Sequence, residues 1–161
     1  FLDRDGTLNK DNGYTYKTKD LHFLNGVIKG LKFLSKKNFY IFIVTNQAGI
    51  GKGYFKLSQF LKFQENFKKI LLKKGIFIHD VEFSPYHPDA KIKKFRKKTL
   101  LRKPGNLMIK NLQKKWPLSM SKSFMIGDKK TDELCAKKSG IKFLYSTNNF
   151  YNLVKNKINN Y

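Results

Sequence analysis

The start of the chain, Phe1-Leu2-Asp3-Arg4-Asp5-Gly6-Thr7-Leu8-Asn9, sets two carboxylates two positions apart at the end of an apolar segment and directly before a glycine. On an extended strand residues i and i+2 face the same way. Asp3 and Asp5 then share one small site if the strand runs through them. Carboxylates that close repel unless a cation or a proton lies between them. Asp3 is the candidate nucleophile, because a carboxylate attacking phosphorus forms an acyl phosphate and divides one hard hydrolysis into two easier steps. Asp5 is placed to protonate the leaving oxygen and afterwards to take a proton from water. Asp3 and Asp128, with a backbone carbonyl nearby, suit a hard cation that keeps several waters, which predicts Mg²⁺.

Three further clusters belong to the same chemistry. Thr45-Asn46-Gln47 precedes the glycine-rich Ala48-Gly49-Ile50-Gly51-Lys52-Gly53, where a hydroxyl and backbone N–H groups can cradle phosphate oxygens. Arg102-Lys103-Pro104-Gly105 offers fixed cations, and Lys103 can neutralise charge as it moves between nucleophile and phosphate. Asp128 lies in Gly127-Asp128-Lys129-Lys130-Thr131-Asp132, with Asp132 read as a capping or supporting acid at a helix start. His22, His79 and His87 lack ligand spacing among themselves, and only His87 falls near a candidate loop.

Elements must bring these clusters together. Phe39–Val44 is an apolar run of the kind buried on both faces of a parallel sheet. Short strands are predicted at 81–83, 123–126 and 142–145, with Phe1-Leu2 as the end of a first strand whose start is missing. Apolar periods near 3.6 predict helices over 26–37, 57–74 (Ser58 as cap, Gly75 as stop), 104–115 and 132–139. Strands separated by helices of this length imply right-handed crossovers. The fold class is therefore α/β, a three-layer doubly wound parallel sheet with no large cap domain. One domain spans 1–161, with a basic insertion at 84–101. In such sheets ligands bind at the carboxyl ends of the strands, and the clusters at 3–7, 45–47 and 127–129 each follow a strand.

The net charge is +23, from 34 Lys+Arg against 11 Asp+Glu. That field attracts phosphorylated ligands. Only Arg4, Arg96 and Arg102 are arginines, whereas nucleic-acid surfaces lean on arginine for bidentate phosphate contacts. The lysine excess, beside abundant Asn, Phe and Ile, fits AT-rich coding, so a nucleic-acid partner is not expected. No apolar run is long enough to span a membrane. Cys135 is the single cysteine, which excludes an internal disulfide and a thiolate zinc site and fits a reducing cytoplasm. A monomer is expected.

Asp3-x-Asp5-Gly6-Thr7, Thr45-Asn46, Lys103 and Gly127-Asp128 resemble, in order and spacing, the four motifs of the haloacid dehalogenase phosphatases. Within that superfamily the chain is most similar to the bacterial D,D-heptose 1,7-bisphosphate phosphatases and their histidinol-phosphatase relatives. The likeness includes Gly13-Tyr14, Phe23–Val27, Thr45–Phe55, Pro85-Tyr86-His87-Pro88 and Arg102-Lys103-Pro104. The resemblance implies Asp3 as nucleophile, Asp5 as acid and base, and Thr45, Asn46 and Lys103 as phosphate binders. It implies Mg²⁺ on Asp3, Asp128 and the Asp5 carbonyl, with Arg102 and Lys129 meeting the substrate. The implied substrate is a phosphorylated sugar that loses its C7 phosphate on the way to ADP- or GDP-heptose and lipopolysaccharide-type glycans. Histidinol phosphate phosphatase and polynucleotide 3′-phosphatase are the alternatives. The heptose enzymes commonly hold zinc in the insertion through Cys-x-His and Cys-x-Cys. Ser84, Tyr86, Thr99 and Leu101 stand at those positions here, so no structural zinc is expected, and the loop must be held by packing or be mobile.

Overall fold

The computed structural model describes residues 1–159. Four strands, β1 (Phe42–Asn46), β2 (Asp80–Ser84), β3 (Phe124–Gly127) and β4 (Lys142–Tyr145), pair in parallel as β1 with β2 and β3 with β4. Leu2 bridges to both Ile43 and Ile126, also in parallel. Its N–H donates to the Phe42 carbonyl at 2.8 Å, and the Asp3 N–H donates to the Ile126 carbonyl at 2.9 Å. The two pairs thus become one sheet in the order β2, β1, residues 1–3, β3, β4.

Alternation along the strands builds two cores. Leu2, Ile43 and Ile126 join one cluster with Leu31, Leu34, Phe63, Phe67 and Val154. Phe1, Phe42, Val44 and Met125 face the other way, against Met108, Ile109, Leu112, Cys135 and Ala136. Successive side chains on a strand point to opposite faces, so a central apolar run must be covered twice. The helices that cover it are α1 (Val27–Lys36), α3 (Leu57–Leu72) and α6 (Phe150–Asn159) on one face, and α4 (Leu107–Lys115) and α5 (Lys130–Lys138) on the other. A one-turn-and-a-half helix, α2 (Ala48–Lys52), follows β1. Where Gly30 faces α6, an added Cβ would stand 2.5 Å from Phe150 Cδ1, so the Phe150 ring packs directly on the bare backbone of α1.

Several boundaries differ from expectation. β1 runs over 42–46, starting three residues and ending two residues later than the apolar run, because residues 39–41 after the turn at 37–38 lie outside the strand. α4 begins at Leu107, not Pro104, since Pro104 follows a cis peptide bond inside a turn. Ser58 is not the cap of α3. That position is Lys56, whose N–H donates to Gln59 Oε1 at 2.7 Å. Neither α2 nor α6 was expected.

Candidate active site

The carboxyl ends of residues 1–3, β1 and β3 are adjacent in the sheet, and chain direction switches sides between them. That is the place where doubly wound sheets bind ligands. A cleft of about 430 Å³ opens there, lined by Asp3, Asp5, Thr45, Lys103 and Asp132 within and by Lys52, Arg102 and Lys129 nearer its mouth. A second cavity, of about 270 Å³, lies at the opposite end of the strands among Phe1, Leu34, Phe39 and Leu118, and no carboxylate lines it.

Lys103 stands at the centre. Its Nζ lies 2.7 Å from Asp3 Oδ1, 2.6 Å from Asp132 Oδ1 and 2.8 Å from the Val44 carbonyl, and only 2 % of its side chain is exposed. Burial disfavours its charge, but the two carboxylates outweigh burial and hold its pKa above the ordinary lysine value. Asp3 comes out on the other side of that balance. Burial raises its pKa to about 7, against the pull of Lys103 and with help from Asp132. One ammonium is shared between two acids and cannot neutralise both.

Asp128 adds a third acid. Oxygens of Asp3, Asp128 and Asp132 lie within 4.8 Å of one another, a hard-oxygen donor set with surplus negative charge that fits a divalent cation. Backbone geometry makes the space. Gly6, at φ +86°, would carry a Cβ 2.3 Å from Asp128 Oδ2, and a Cβ at Gly127 would stand 2.5 Å from that of Asp132. The Thr7 hydroxyl is 3.4 Å from Asp128 Oδ1. The Asp132 carboxylate also accepts from the Lys129 N–H at 3.0 Å, at the start of α5.

The strand does not continue through Asp5. The extended segment ends at Asp3 and a turn follows, yet both carboxylates line the cleft. Asp5 is fixed by three neighbours. Arg4 donates from Nε at 3.1 Å and Nη2 at 2.7 Å, Asn9 from Nδ2 at 2.9 Å, and Gln47 from Nε2 at 2.9 Å. Gln47 Nε2 donates to the Thr45 hydroxyl as well, at 2.9 Å, which ties the two motifs together. Arg4 is wholly buried, with its guanidinium 4.7 Å from the Phe63 ring centroid and a bond to the Thr15 carbonyl.

Asn46 lines the cleft beside Thr45 and Lys103. Its amide is engaged by Lys103, donating to that residue's carbonyl at 3.1 Å and accepting from its N–H at 3.0 Å. It fixes the backbone that aims the ammonium. Lys129 Nζ lies 3.1 Å from Asp11 and 3.9 Å from Asp128. Arg102 Nη1 donates to the Tyr86 carbonyl at 3.3 Å, and His87 reaches the cleft while His22 and His79 do not. Arg4, Asn9 and Gln47 had no role assigned from sequence. The signal available was an arginine set between two acids in an otherwise apolar stretch, where its charge must find a partner.

The four positions expected to lack zinc ligands carry a serine, a tyrosine, a threonine and a leucine. The Ser84 hydroxyl is buried, the Tyr86 ring packs on Phe95, and the Thr99 hydroxyl accepts from the Leu101 N–H at 3.2 Å. Leu101 has no donor atom. These residues do not fit a zinc ion.

The family model described as polynucleotide kinase 3 phosphatase matches residues 1–151. The chain belongs to this family of haloacid dehalogenase phosphatases. A Photorhabdus laumondii protein named D-glycero-beta-D-manno-heptose-1,7-bisphosphate 7-phosphatase is 39 % identical over 91 % of this chain and 79 % of its own length. A second protein of that organism, named for the alpha anomer, is 35 % identical over 88 % of this chain and 77 % of its own. Among solved structures, D,D-heptose 1,7-bisphosphate phosphatase from B. bronchiseptica, complexed with magnesium and phosphate, superposes with a TM-score of 0.85. That match covers 99 % of this chain and 97 % of the other at 17 % identity, a likeness of fold. The haloacid dehalogenase phosphatase fold and membership are thereby established, and no described helix is long and apolar enough to cross a membrane.

Proposed function

We propose that the chain hydrolyses the C7 phosphate of D-glycero-D-manno-heptose 1,7-bisphosphate through an aspartyl-phosphate on Asp3, with Mg²⁺ held by Asp3, Asp128 and the Asp5 carbonyl. The observation that carries this reading is the buried Lys103 shared by Asp3 and Asp132, with an oxygen of Asp128 within 4.8 Å of oxygens of both acids. When bound, the cation supplies charge that lets two anions approach. Asp3 forms a bond from its carboxylate oxygen to phosphorus as the phosphorus–sugar oxygen bond breaks. Asp5 gives its proton to the departing sugar oxygen, then takes one from the water that attacks the acyl phosphate and frees inorganic phosphate. Lys103 and the Thr45 hydroxyl receive the phosphoryl oxygens, while Asn46, Gln47, Asn9 and Arg4 keep Lys103 and Asp5 aimed. Arg102, Lys129 and Lys52 line the mouth, which suits a substrate whose second phosphate stays behind. Such a product would feed activated-heptose and surface-glycan synthesis.

The relatives are named for both anomers, so the test offers each. Phosphate release would be measured from alpha and beta heptose 1,7-bisphosphate, histidinol phosphate and a 3′-phosphorylated oligonucleotide. A heptose bisphosphate should lead in kcat/KM. A hundredfold preference for histidinol phosphate or the oligonucleotide would overturn the substrate assignment and leave the phosphatase chemistry standing.

A further inference from the structure

Residues 85–98 hold little regular structure beyond one short turn of helix at Lys93–Phe95, yet they are bonded to themselves and to α2. The Arg96 guanidinium reaches back across the loop, donating from Nε to the Ala90 carbonyl at 2.7 Å and from Nη2 to the Lys91 carbonyl at 3.1 Å. A planar fork can satisfy two adjacent carbonyls in this way, whereas an ammonium is a single point of charge. Ala90 is buried, and its N–H donates to the His87 carbonyl at 3.1 Å. The His87 N–H donates to the Phe95 carbonyl at 3.1 Å, and the Ile92 N–H to the Gly51 carbonyl at 3.0 Å. A Cβ on Gly51 would stand 2.5 Å from the Pro85 carbonyl oxygen and 3.1 Å from Ala90 Cβ, so loop and helix meet at bare backbone. Tyr86 and Phe95 meet edge to face at 5.8 Å, with the Lys97 ammonium 4.6 Å from the Tyr86 ring.

This bonding ends at the mouth of the cleft. The Tyr86 carbonyl accepts from Arg102, and His87 and Arg102 both line the opening. We propose that Arg96 is a positioning residue that closes the 85–98 loop by holding the carbonyls of Ala90 and Lys91, and so sets Arg102 and His87 where the part of the substrate remote from the reacting phosphate binds. Arg96 itself does not line the cleft and acts only through the loop. The effect on substrate rests on the phosphatase reading above; the effect on the loop does not.

The test uses the full chain with Mg²⁺, as wild type, Arg96→Ala and Arg96→Lys. Hydrogen exchange at the amides of His87, Ala90 and Phe95 reads the loop. KM and kcat for heptose 1,7-bisphosphate and for p-nitrophenyl phosphate read the mouth and the chemistry apart. Arg96→Ala should speed exchange across the loop and raise KM for the bisphosphate about tenfold, the scale of one charge-assisted hydrogen bond. Its kcat, and its turnover of p-nitrophenyl phosphate, should stay within about twofold of wild type, as expected when only remote binding is lost. Arg96→Lys, which can still reach one carbonyl, should fall between. Unchanged exchange in Arg96→Ala, an unchanged KM, or an equal loss of kcat on both substrates would overturn the proposal. If wild type acts on no heptose bisphosphate, the substrate assignment fails, and exchange alone then decides whether Arg96 closes the loop.

Discussion

Lys103 has more negative charge around it than it can neutralise, and Asp3 carries the deficit. A carboxyl whose folded pKa lies above its unfolded one favours the folded state at low pH. It loses that contribution as pH climbs from its ordinary 3.8 through about 7. Metal-free protein at pH 8 therefore bears an ionised Asp3 whose burial is incompletely compensated. Asp3→Asn removes that charge and leaves Lys103 with Asp132 and the Val44 carbonyl. In a chelator-treated thermal melt at pH 8, the variant should unfold no lower than wild type, while turnover falls by about a thousandfold or more for want of the nucleophile. Added Mg²⁺ should raise the wild-type midpoint by mass action and move the variant less. A variant that melts well below metal-free wild type would make the Asp3–Lys103 pair a structural tie first and a reactive group second.

The turn after residues 1–3 shows how an element sets a site. Gly6 takes φ +86°, a conformation side chains resist, and its missing Cβ leaves room for Asp128. Gly6→Ala should lower Mg²⁺ affinity by about tenfold or more, since a methyl displaces one ligand and strains the turn. Calorimetric titration of Mg²⁺ reads this directly, and an unchanged affinity would separate Asp128 from the metal. This glycine was legible in the sequence because it follows two acids at a strand end, and so were β1 and β3, as short apolar runs, and α3, whose period is strong. What was not legible arose from contacts distant in sequence. The Asn46 amide finds Lys103 only because β1 ends beside the cis turn at Lys103-Pro104. Asp5 keeps its place through Arg4, Asn9 and Gln47 although the strand pattern that first paired it with Asp3 stops short of it. The basic insertion at 84–101 takes its order from backbone bonds and from side chain to carbonyl bonds that follow no repeat, and these leave no period in the sequence.

Across the whole molecule, 34 basic residues against 11 acidic ones give a net charge of +23, and this acts on stability and on substrate capture with opposite signs. Like charges spread over one compact body repel, and folding brings them closer than the unfolded chain does. Raising NaCl from about 20 mM to about 300 mM shortens the screening length roughly fourfold. The thermal midpoint should therefore rise with salt. A phosphorylated substrate approaching Lys52, Arg102 and Lys129 at the cleft mouth loses long-range attraction over the same range, so kcat/KM should fall by about threefold or more. Kcat should hold, because Lys103 is buried and its pairs with Asp3 and Asp132 are poorly reached by ions. Melts and steady-state rates in one salt series would show the opposed slopes. A midpoint that drops with salt would mean that weakening the ion pairs the lysines do make, as Lys69 with Glu65 and Lys115 with Glu82, outweighs the relief of their mutual repulsion.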